Sequence, residues 1–212
     1  MSGNLRHILL VNPTITSRRG ARFPLSLLAL AAALEPRYTC RIIDGNVDRD
    51  YLNTIGQALS RQKFDAVGVS VMGGPQVRTA IDSSLAVRAA SPATPIIWGG
   101  YFPTLYRAAA VNAPYVDYAV RGQGEATFAQ LLQAISAGDR TALDAIDGIT
   151  WKRGDEIVVN QDRLLSDPRA PGLLPYERLG DPRAYLARTF LGQRTAAYQA
   201  ALKLSGHDAH VL

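Results

Sequence analysis

Cysteine is almost absent from this sequence of 212 residues, in which Cys40 stands alone. A single cysteine cannot close an internal disulfide, and it cannot supply the set of thiolates that a structural zinc or an iron–sulfur cluster needs. Histidine is nearly as scarce, being limited to His7, His207 and His210. We therefore expect no metal site built from the side chains of this chain, and we expect a protein from a reducing compartment.

The sequence also lacks a long hydrophobic run. Its most apolar stretch, Leu25 to Leu34, is rich in alanine and falls well short of the roughly 20 residues that span a bilayer. No apolar leader segment precedes the first strand-like run, so no secretory signal is predicted. These features indicate a cytoplasmic protein that is not bound to a membrane.

Charge does not single out a nucleic-acid surface. The formal net charge is +5, but the basic residues are scattered, and the nearest approach to a cluster is Arg18, Arg19 and Arg22. No aromatic residues alternate with them, as binding of single strands by stacking requires. We interpret the basic residues as a solvated surface and expect no nucleic-acid partner.

Short β-branched runs alternate with helical patterns along the first 138 residues. The predicted strands are His7–Asn12, Cys40–Asp44, Asp65–Val71, Pro95–Trp98 and Tyr115–Val120. The predicted helices are Pro24–Leu34, Tyr51–Gln62, Gln76–Ala90, Pro103–Val111 and Glu125–Ala137. Near-continuous apolar strands joined by helices predict a doubly wound, five-stranded parallel α/β sheet of flavodoxin-like or Rossmann-like type, with strand order 2-1-3-4-5.

The pattern changes after Gly138. Two short strand patterns, 148–153 and 156–161, flank Gly154–Asp155, a good hairpin turn. A segment punctuated by prolines follows and is typical of a connecting arm. We predict an α/β domain over residues 1–138, a helix and hairpin extension over 139–165, and an arm and tail over 166–212. We also expect the chain to be part of a longer protein.

Candidate ligand contacts come from one rule: an open parallel sheet binds its ligand beyond the carboxyl ends of its strands. Three consecutive strand ends there carry glycine pairs, Gly73–Gly74, Gly99–Gly100 and Gly122 with Gly124. One such pair would indicate a tight turn, but three together favour a large ligand that approaches the backbone closely. The candidate binding residues are Asn12, Pro13, Thr14, Ile15, Thr16, Asp44, Ser70, Val71, Met72, Gly73, Gly74, Gly99, Gly100, Tyr101, Gly122, Gly124 and Glu125.

The polar candidates each have a structural explanation as well. Ser70 is placed to satisfy a backbone group at a strand end, and Asp44 to form a turn before Gly45. Glu125 carries a charge that favours the start of a helix. These explanations stay open beside the ligand-binding one.

Other functions fit the same fold less well. A flavodoxin-like FMN protein would use the hydroxyl-rich run from Thr14 to Ser17 for phosphate, but a glycine arrives only at Gly20. A phosphoreceiver needs an aspartate where Ser70 stands, and a dinucleotide fingerprint belongs after the first strand instead of the fifth. A non-catalytic interaction module remains an alternative.

Five segments in order carry a family resemblance. They are Ile8–Pro13, Phe64–Ser70, Trp98–Gly100 followed by Pro103–Thr104, Val120–Glu125, and Asp147–Trp151. Across roughly residues 7–190 the chain resembles the N-terminal cobalamin (B12)-binding domain of B12-dependent radical SAM enzymes. The resemblance implies cobalamin as the cofactor and a corrinoid small molecule as the partner.

Classical cobalamin domains carry the motifs DxHxxG, SxL and GG. Ser70-Val71-Met72 stands at the SxL position and Gly99–Gly100 at the GG position, which implies that Ser70 approaches the dimethylbenzimidazole tail and that the glycines make room for it. The loop after the first strand has no histidine. The resemblance therefore implies cobalamin held without a protein histidine on cobalt.

The radical chemistry of such enzymes depends on a CxxxCxxC loop that holds a 4Fe–4S cluster and S-adenosylmethionine. This chain has no such loop, and Lys203–His207 stands where it would follow. The resemblance thus implies a chain with no catalytic residues of its own. It would serve methyl transfer or related radical chemistry with a radical SAM domain in cis or in trans.

Overall fold

The computed structural model describes residues 6–16, 21–164, 173–189 and 192–195. The main helices are α1 (Leu25–Leu34), α2 (Tyr51–Arg61), α3 (Pro75–Ala90), α4 (Tyr101–Leu105), α5 (Ala109–Asn112) and α6 (Gly124–Ala137). The strands are β1 (Arg6–Asn12), β2 (Tyr38–Asp44), β3 (Ala66–Ser70), β4 (Ile96–Gly99), β5 (Tyr118–Val120), β6 (Ile149–Arg153), β7 (Glu156–Val159), β8 (Ala187–Thr189) and β9 (Gly192–Thr195). Three 3₁₀ turns lie at Thr141–Ala145, Tyr176–Leu179 and Pro182–Tyr185.

One sheet organises the chain, in the order β2-β1-β3-β4-β5-β6-β7. The first five strands of that order are parallel, so the predicted order 2-1-3-4-5 is confirmed. The predicted strand count was too low, because β6 pairs antiparallel with β5 and β7 with β6. The hairpin extends the sheet because β5 would otherwise leave its backbone groups unpaired at an edge.

Two predicted elements differ in the structure. The single helix expected over Pro103–Val111 is instead two short helices, α4 and α5, separated at residues 106–108. The Tyr106 ring packs on Phe102 at 5.1 Å, and Arg107 turns away to pair with Asp162 at 2.6 Å. The fifth strand is shorter than predicted, since residues 113–117 form a turn before β5 begins.

Side chains alternate between two hydrophobic layers, as the two-residue period of a strand requires. On β1, Leu9 and Val11 face the layer under α2 and α3, whereas Ile8 and Leu10 face the layer under α1 and α6. All four are fully buried. Because helices cover both faces of the sheet, a ligand can reach the sheet only at the ends of its strands. No helix in the described ranges is long and apolar enough to cross a bilayer.

Arg121 fastens the hairpin to the end of β5. Its guanidinium, which is 2% exposed, donates to the Ile149 carbonyl at 3.2 Å and to the Asn160 carbonyl at 2.5 Å. It also pairs with Asp162, whose side chain is half exposed. Because a buried guanidinium must find acceptors, these contacts fix where β6 and β7 lie.

We expect Arg121→Met to lower the free energy of unfolding by about 3 kcal/mol, since it leaves buried carbonyls without donors. Chemical denaturation measures this loss. Arg153→Met is the matched control, because Arg153 is half exposed and pairs with the equally exposed Asp144; it should cost at most about 1 kcal/mol. Equal losses in the two variants would contradict the anchoring role of Arg121.

Candidate functional site

Four neighbouring strands each place their last residue on the same face of the sheet. On each of these strands, the residue two positions before the last one belongs to the layer under α1 and α6. Side chains on a strand return to the same face every second residue, so the last residues face that side too. Asn12 pairs with Asp44, and Ser70 pairs with Gly99. We call this line across the carboxyl ends the rim row: Asp44, Asn12, Ser70 and Gly99.

Open space lies at the Gly99 end of the rim row. A Cβ built on Gly99 would meet only the Val120 carbonyl, at 3.9 Å. One layer deeper the space is filled, since a Cβ on Gly68 would lie 2.9 Å from Leu10 and 3.1 Å from the Phe128 ring. Room for a ligand therefore begins at the rim row, above a floor made by Leu10 and Phe128.

Gly100 is required by the local backbone conformation. Its φ is +95°, and a Cβ there would lie 3.0 Å from the Val71 carbonyl oxygen. That same oxygen accepts from the Phe102 amide at 2.9 Å. The two members of the predicted diglycine thus differ: Gly100 allows the chain to turn against β3, and Gly99 leaves a space.

The loops after β1, β2 and β3 are joined by side-chain hydrogen bonds. Asn12 Nδ2 donates to Asp44 Oδ1 at 3.0 Å. Gln76, which is buried, donates to Asn12 Oδ1 at 3.3 Å and to the Pro13 carbonyl at 2.7 Å, and it accepts from the Met72 amide at 2.7 Å. Sequence reasoning missed Gln76, whose only signal is its place in the first turn of α3.

Asn46 organises the loop after β1. Its Oδ1 accepts from the amides of Ile15 and Thr16 at 2.9 and 3.0 Å. Thr14 Oγ1 donates to the Gly45 carbonyl at 2.8 Å. The Thr14 hydroxyl and the amides of Ile15 and Thr16, which a flavodoxin-like phosphate loop would direct at its ligand, are thus engaged within the protein, and this speaks against FMN at this position. Ser17 lies outside the described residues.

Asp44 is an internal acceptor. It is 5% exposed; Oδ1 accepts from Asn12, the Asn46 amide and Asn46 Nδ2, and Oδ2 accepts from Tyr185 at 2.9 Å. Burial raises the pKa of Asp44, and the hydrogen bonds from Asn46, Tyr185 and Asn12 oppose that rise. We therefore interpret Asp44 as a residue that shapes the rim from within.

Tyr185 comes from the segment that the sequence assigned to a connecting arm. It is 2% exposed, and its ring stacks on Phe23 with 4.9 Å between centroids. Burial, followed by the charge of Asp44, raises the pKa of Tyr185, so its hydroxyl remains a donor at neutral pH. Residues 173–186 thus pack against the domain, which their proline content did not indicate.

Large apolar side chains stand exposed at this same end of the sheet. Ile15 and Met72, from the loops after β1 and β3, and Tyr101, the first residue of α4, are 46–53% exposed. Leu105 and Tyr106, at the end of α4, are slightly more exposed. An exposed apolar patch of this kind marks a contact surface. The backbone at Gly73, Gly74 and Gly122 also faces open space.

Polar groups without partners lie at the rim as well. Within the described ranges, Glu125 Oε2 is buried and has no hydrogen-bond partner, and no protein partner is found for the Ser70 hydroxyl. The Gly122 amide, by contrast, donates to Thr104 Oγ1 at 2.9 Å. Pro13 and Val71 are buried, and the Asp44 oxygens accept hydrogen bonds within the protein. All three stay predicted ligand contacts.

These features define a class. The model of the B12 binding domain matches residues 12–132, more than half of the chain, and the chain belongs to that family. Among curated proteins it is 36% identical over 76 residues to the anaerobic magnesium-protoporphyrin IX monomethyl ester cyclase of Synechocystis sp.. It is 24% identical over 134 residues to an uncharacterized methyltransferase of Pyrococcus horikoshii.

These matches cover 35% and 63% of this chain but only 15% and 29% of the two relatives. The chain therefore spans less than a third of each curated protein that it matches. Whatever the whole relatives do requires parts that are not aligned here.

Solved structures show the same fold. The radical S-adenosylmethionine methyltransferase TsrM from Kitasatospora setae, with cobalamin and a 4Fe–4S cluster bound, superposes with a TM-score of 0.65 at 21% identity, over 91% of this chain and 36% of that one. The cobalamin-dependent S-adenosylmethionine radical enzyme OxsB, with aqua-cobalamin and S-adenosylmethionine bound, gives 0.64 at 20% identity, over 76% and 23%. The predicted resemblance is confirmed, and cobalamin is the cofactor of this family of domains.

The residues present fit a corrinoid. The vacant position at Gly99, the exposed apolar side chains and the unpaired Glu125 oxygen suit a ligand that is broad, partly apolar and edged with amides. No cluster of three or more histidine, cysteine, aspartate or glutamate side chains that could hold a metal ion occurs in the described ranges.

Proposed function

We propose that this chain holds cobalamin on the rim row as the corrinoid module of a B12-dependent radical SAM enzyme. Ser70 and Gly99 would receive the nucleotide tail, and Ile15, Met72 and Tyr101 would contact the corrin ring. The observation that carries the proposal is the open space at Gly99, in line with Ser70 and below exposed apolar side chains.

Cobalamin supplies a cobalt centre that accepts and donates alkyl groups, so the protein's task is position and environment. The hydrogen bonds through Asn12, Asn46 and Gln76 hold the loops in fixed relation. Glu125 offers an unpaired acceptor to the amides or hydroxyls of the ligand. We assign no catalytic residue to this chain.

We further propose that the reaction is methyl transfer or related radical chemistry, carried out with a 4Fe–4S and S-adenosylmethionine domain in cis or in trans. The likeness to the uncharacterized methyltransferase of Pyrococcus horikoshii and to the radical S-adenosylmethionine enzymes TsrM and OxsB supports this. In this scheme residues 1–138 bind the corrinoid, 139–165 extend the sheet, and 166–212 lead toward the partner domain. We place the protein in the cytoplasm.

Binding is tested directly by mixing the purified chain with hydroxocobalamin and passing it through gel filtration. We expect the red corrinoid to elute with the protein. A parallel sample with FMN should elute free, because the amides of Ile15 and Thr16 are already bound by Asn46. Elution of cobalamin only with small molecules would overturn the proposal, and retention of FMN would favour the flavodoxin-like alternative.

We expect the bound cofactor to lack a histidine ligand. His7 lies near the amino end of β1, whereas the rim row lies at the carboxyl end of that strand. His207 and His210 lie outside the described residues. The EPR spectrum of the reduced cob(II)alamin form should therefore show no nitrogen superhyperfine splitting from an axial base. A clear triplet splitting would contradict this prediction.

A further inference from the structure

Residues 173–186, which we call the arm, lie along the free edge of the sheet. Strand β2 is the outermost strand on that side, and the 3₁₀ turn at Tyr176–Leu179 contacts it. Arg178 pairs with Glu35 at 2.5 Å. The Phe23 ring lies between Tyr176, edge-on at 5.1 Å, and Tyr185, stacked at 4.9 Å. The arm is thus docked by an ion pair and by aromatic contacts.

A buried hydrogen bond joins the arm to the rim row. Tyr185 donates its hydroxyl to Asp44 Oδ2 at 2.9 Å, across 141 positions of sequence. The other oxygen of that carboxylate accepts from Asn12 at 3.0 Å. The carboxylate is therefore shared between a segment outside the sheet and the first loop of the rim.

The connection continues beyond Asn12. Gln76 donates to Asn12 Oδ1 at 3.3 Å and receives the Met72 amide at 2.7 Å. A continuous chain of hydrogen bonds thus runs from the arm to the exposed Met72, through Tyr185, Asp44, Asn12 and Gln76. Each link includes at least one buried side chain, Tyr185, Asp44 or Gln76, so a change at one end alters the preferred position of the next.

We infer that Tyr185 is a positioning residue for the corrinoid rim, and that docking of the arm and binding of the corrinoid strengthen each other through the Tyr185–Asp44 hydrogen bond. This inference rests on the proposed function. A docked arm holds Asp44 and Asn12 where the loops are ready for the ligand. By reciprocity, the bound ligand must then hold the arm in place by the same factor.

The test compares two single-atom deletions in the full chain. Tyr185→Phe removes the hydroxyl that reaches Asp44 and keeps the ring that stacks on Phe23. Tyr176→Phe is the matched control, because Tyr176 contacts the same Phe23 ring and its hydroxyl is not part of the hydrogen-bond chain. Hydroxocobalamin affinity, from absorbance titration, should fall about five- to tenfold in Tyr185→Phe, the worth of one buried hydrogen bond. It should stay within about twofold of wild type in Tyr176→Phe.

Hydrogen–deuterium exchange provides the reciprocal reading, which a merely structural role would not move. Adding hydroxocobalamin to the wild-type chain should slow exchange of residues 173–186, although they lie outside the rim. In Tyr185→Phe that slowing should be lost while slowing at the loops after β1 and β3 remains. Unchanged affinity in Tyr185→Phe, or arm protection that persists in it, would overturn the inference. If the wild-type chain failed to bind cobalamin, the proposed function would fall instead.

Discussion

Replacing Gly99 with valine is expected to abolish measurable cobalamin binding while the domain stays folded. The position ends β4, where a β-branched residue suits the strand, and an added Cβ meets only the Val120 carbonyl at 3.9 Å. The isopropyl group would instead occupy the space that we assign to the nucleotide tail. We expect affinity to fall by at least about 100-fold, since overlap with a rigid ligand cannot be relieved by a local shift. Absorbance titration with hydroxocobalamin measures this.

Two other glycine variants serve as controls for Gly99→Val. Gly100→Ala should lower the free energy of unfolding by about 1–3 kcal/mol, because φ is +95° and the Val71 backbone lies close. Gly56→Ala, within α2 and with no atom near its added Cβ, should stabilise the helix by up to about 1 kcal/mol and leave binding unchanged. If Gly99→Val bound cobalamin normally, or lost binding only by unfolding, the tail would not lie at Gly99.

Removing the Asp44 carboxylate is expected to destabilise the fold about as much as Arg121→Met does. Asp44→Ala leaves the Asn12 and Asn46 side-chain amides and the Tyr185 hydroxyl without their acceptor. Asp44 is 5% exposed, so water replaces these bonds poorly, and we expect a loss of about 3 kcal/mol. Urea denaturation followed by circular dichroism measures the difference from wild type.

Asp44→Asn separates the hydrogen bonds from the charge. Its amide oxygen still accepts from Asn12 and Asn46, and its NH2 group can donate to the Tyr185 oxygen, so we expect a loss below about 1 kcal/mol at neutral pH. A loss as large as that of Asp44→Ala would mean that the charge itself holds the rim.

The wild-type chain and Asp44→Asn should also differ in how their stability depends on pH. Burial raises the pKa of folded Asp44 above its value in the unfolded chain. In the interval between those two pKa values the folded chain binds the extra proton. The contribution of Asp44 to stability therefore declines as pH rises through that interval. Asp44→Asn should lack this decline.

Much of the fold is predictable from local pattern. The β-branched runs locate β1 to β4, and the helical spacing locates α2 and α3, because period and burial are properties of neighbouring residues. The glycine-rich loops also fall at a common edge, as predicted, since parallel strands bring their carboxyl ends together. The break at Tyr106 was missed; it accompanies an ion pair between Arg107 and Asp162, 55 positions away, which no local pattern encodes.

The candidate site was predictable in position but not in its internal bonding. Asn12, Ser70 and Gly99 share a face because strand register places them there. The roles of Gln76 and Tyr185 rest on hydrogen bonds that cross 64 and 141 positions. No short-range pattern encodes such a pairing, so the sequence did not indicate that both Asp44 oxygens accept hydrogen bonds within the protein.

The position of the arm matters for how this domain can be handled on its own. Strand β2 is the outermost strand of the sheet, and the arm contacts it. Without the arm this edge would be uncovered, and uncovered strand edges recruit other chains. A version shortened at residue 164 would therefore tend to self-associate by edge-to-edge pairing, even with an intact hydrophobic interior. The shortest well-behaved version of the domain has to extend to Tyr185, more than twenty residues past the end of the β6–β7 hairpin.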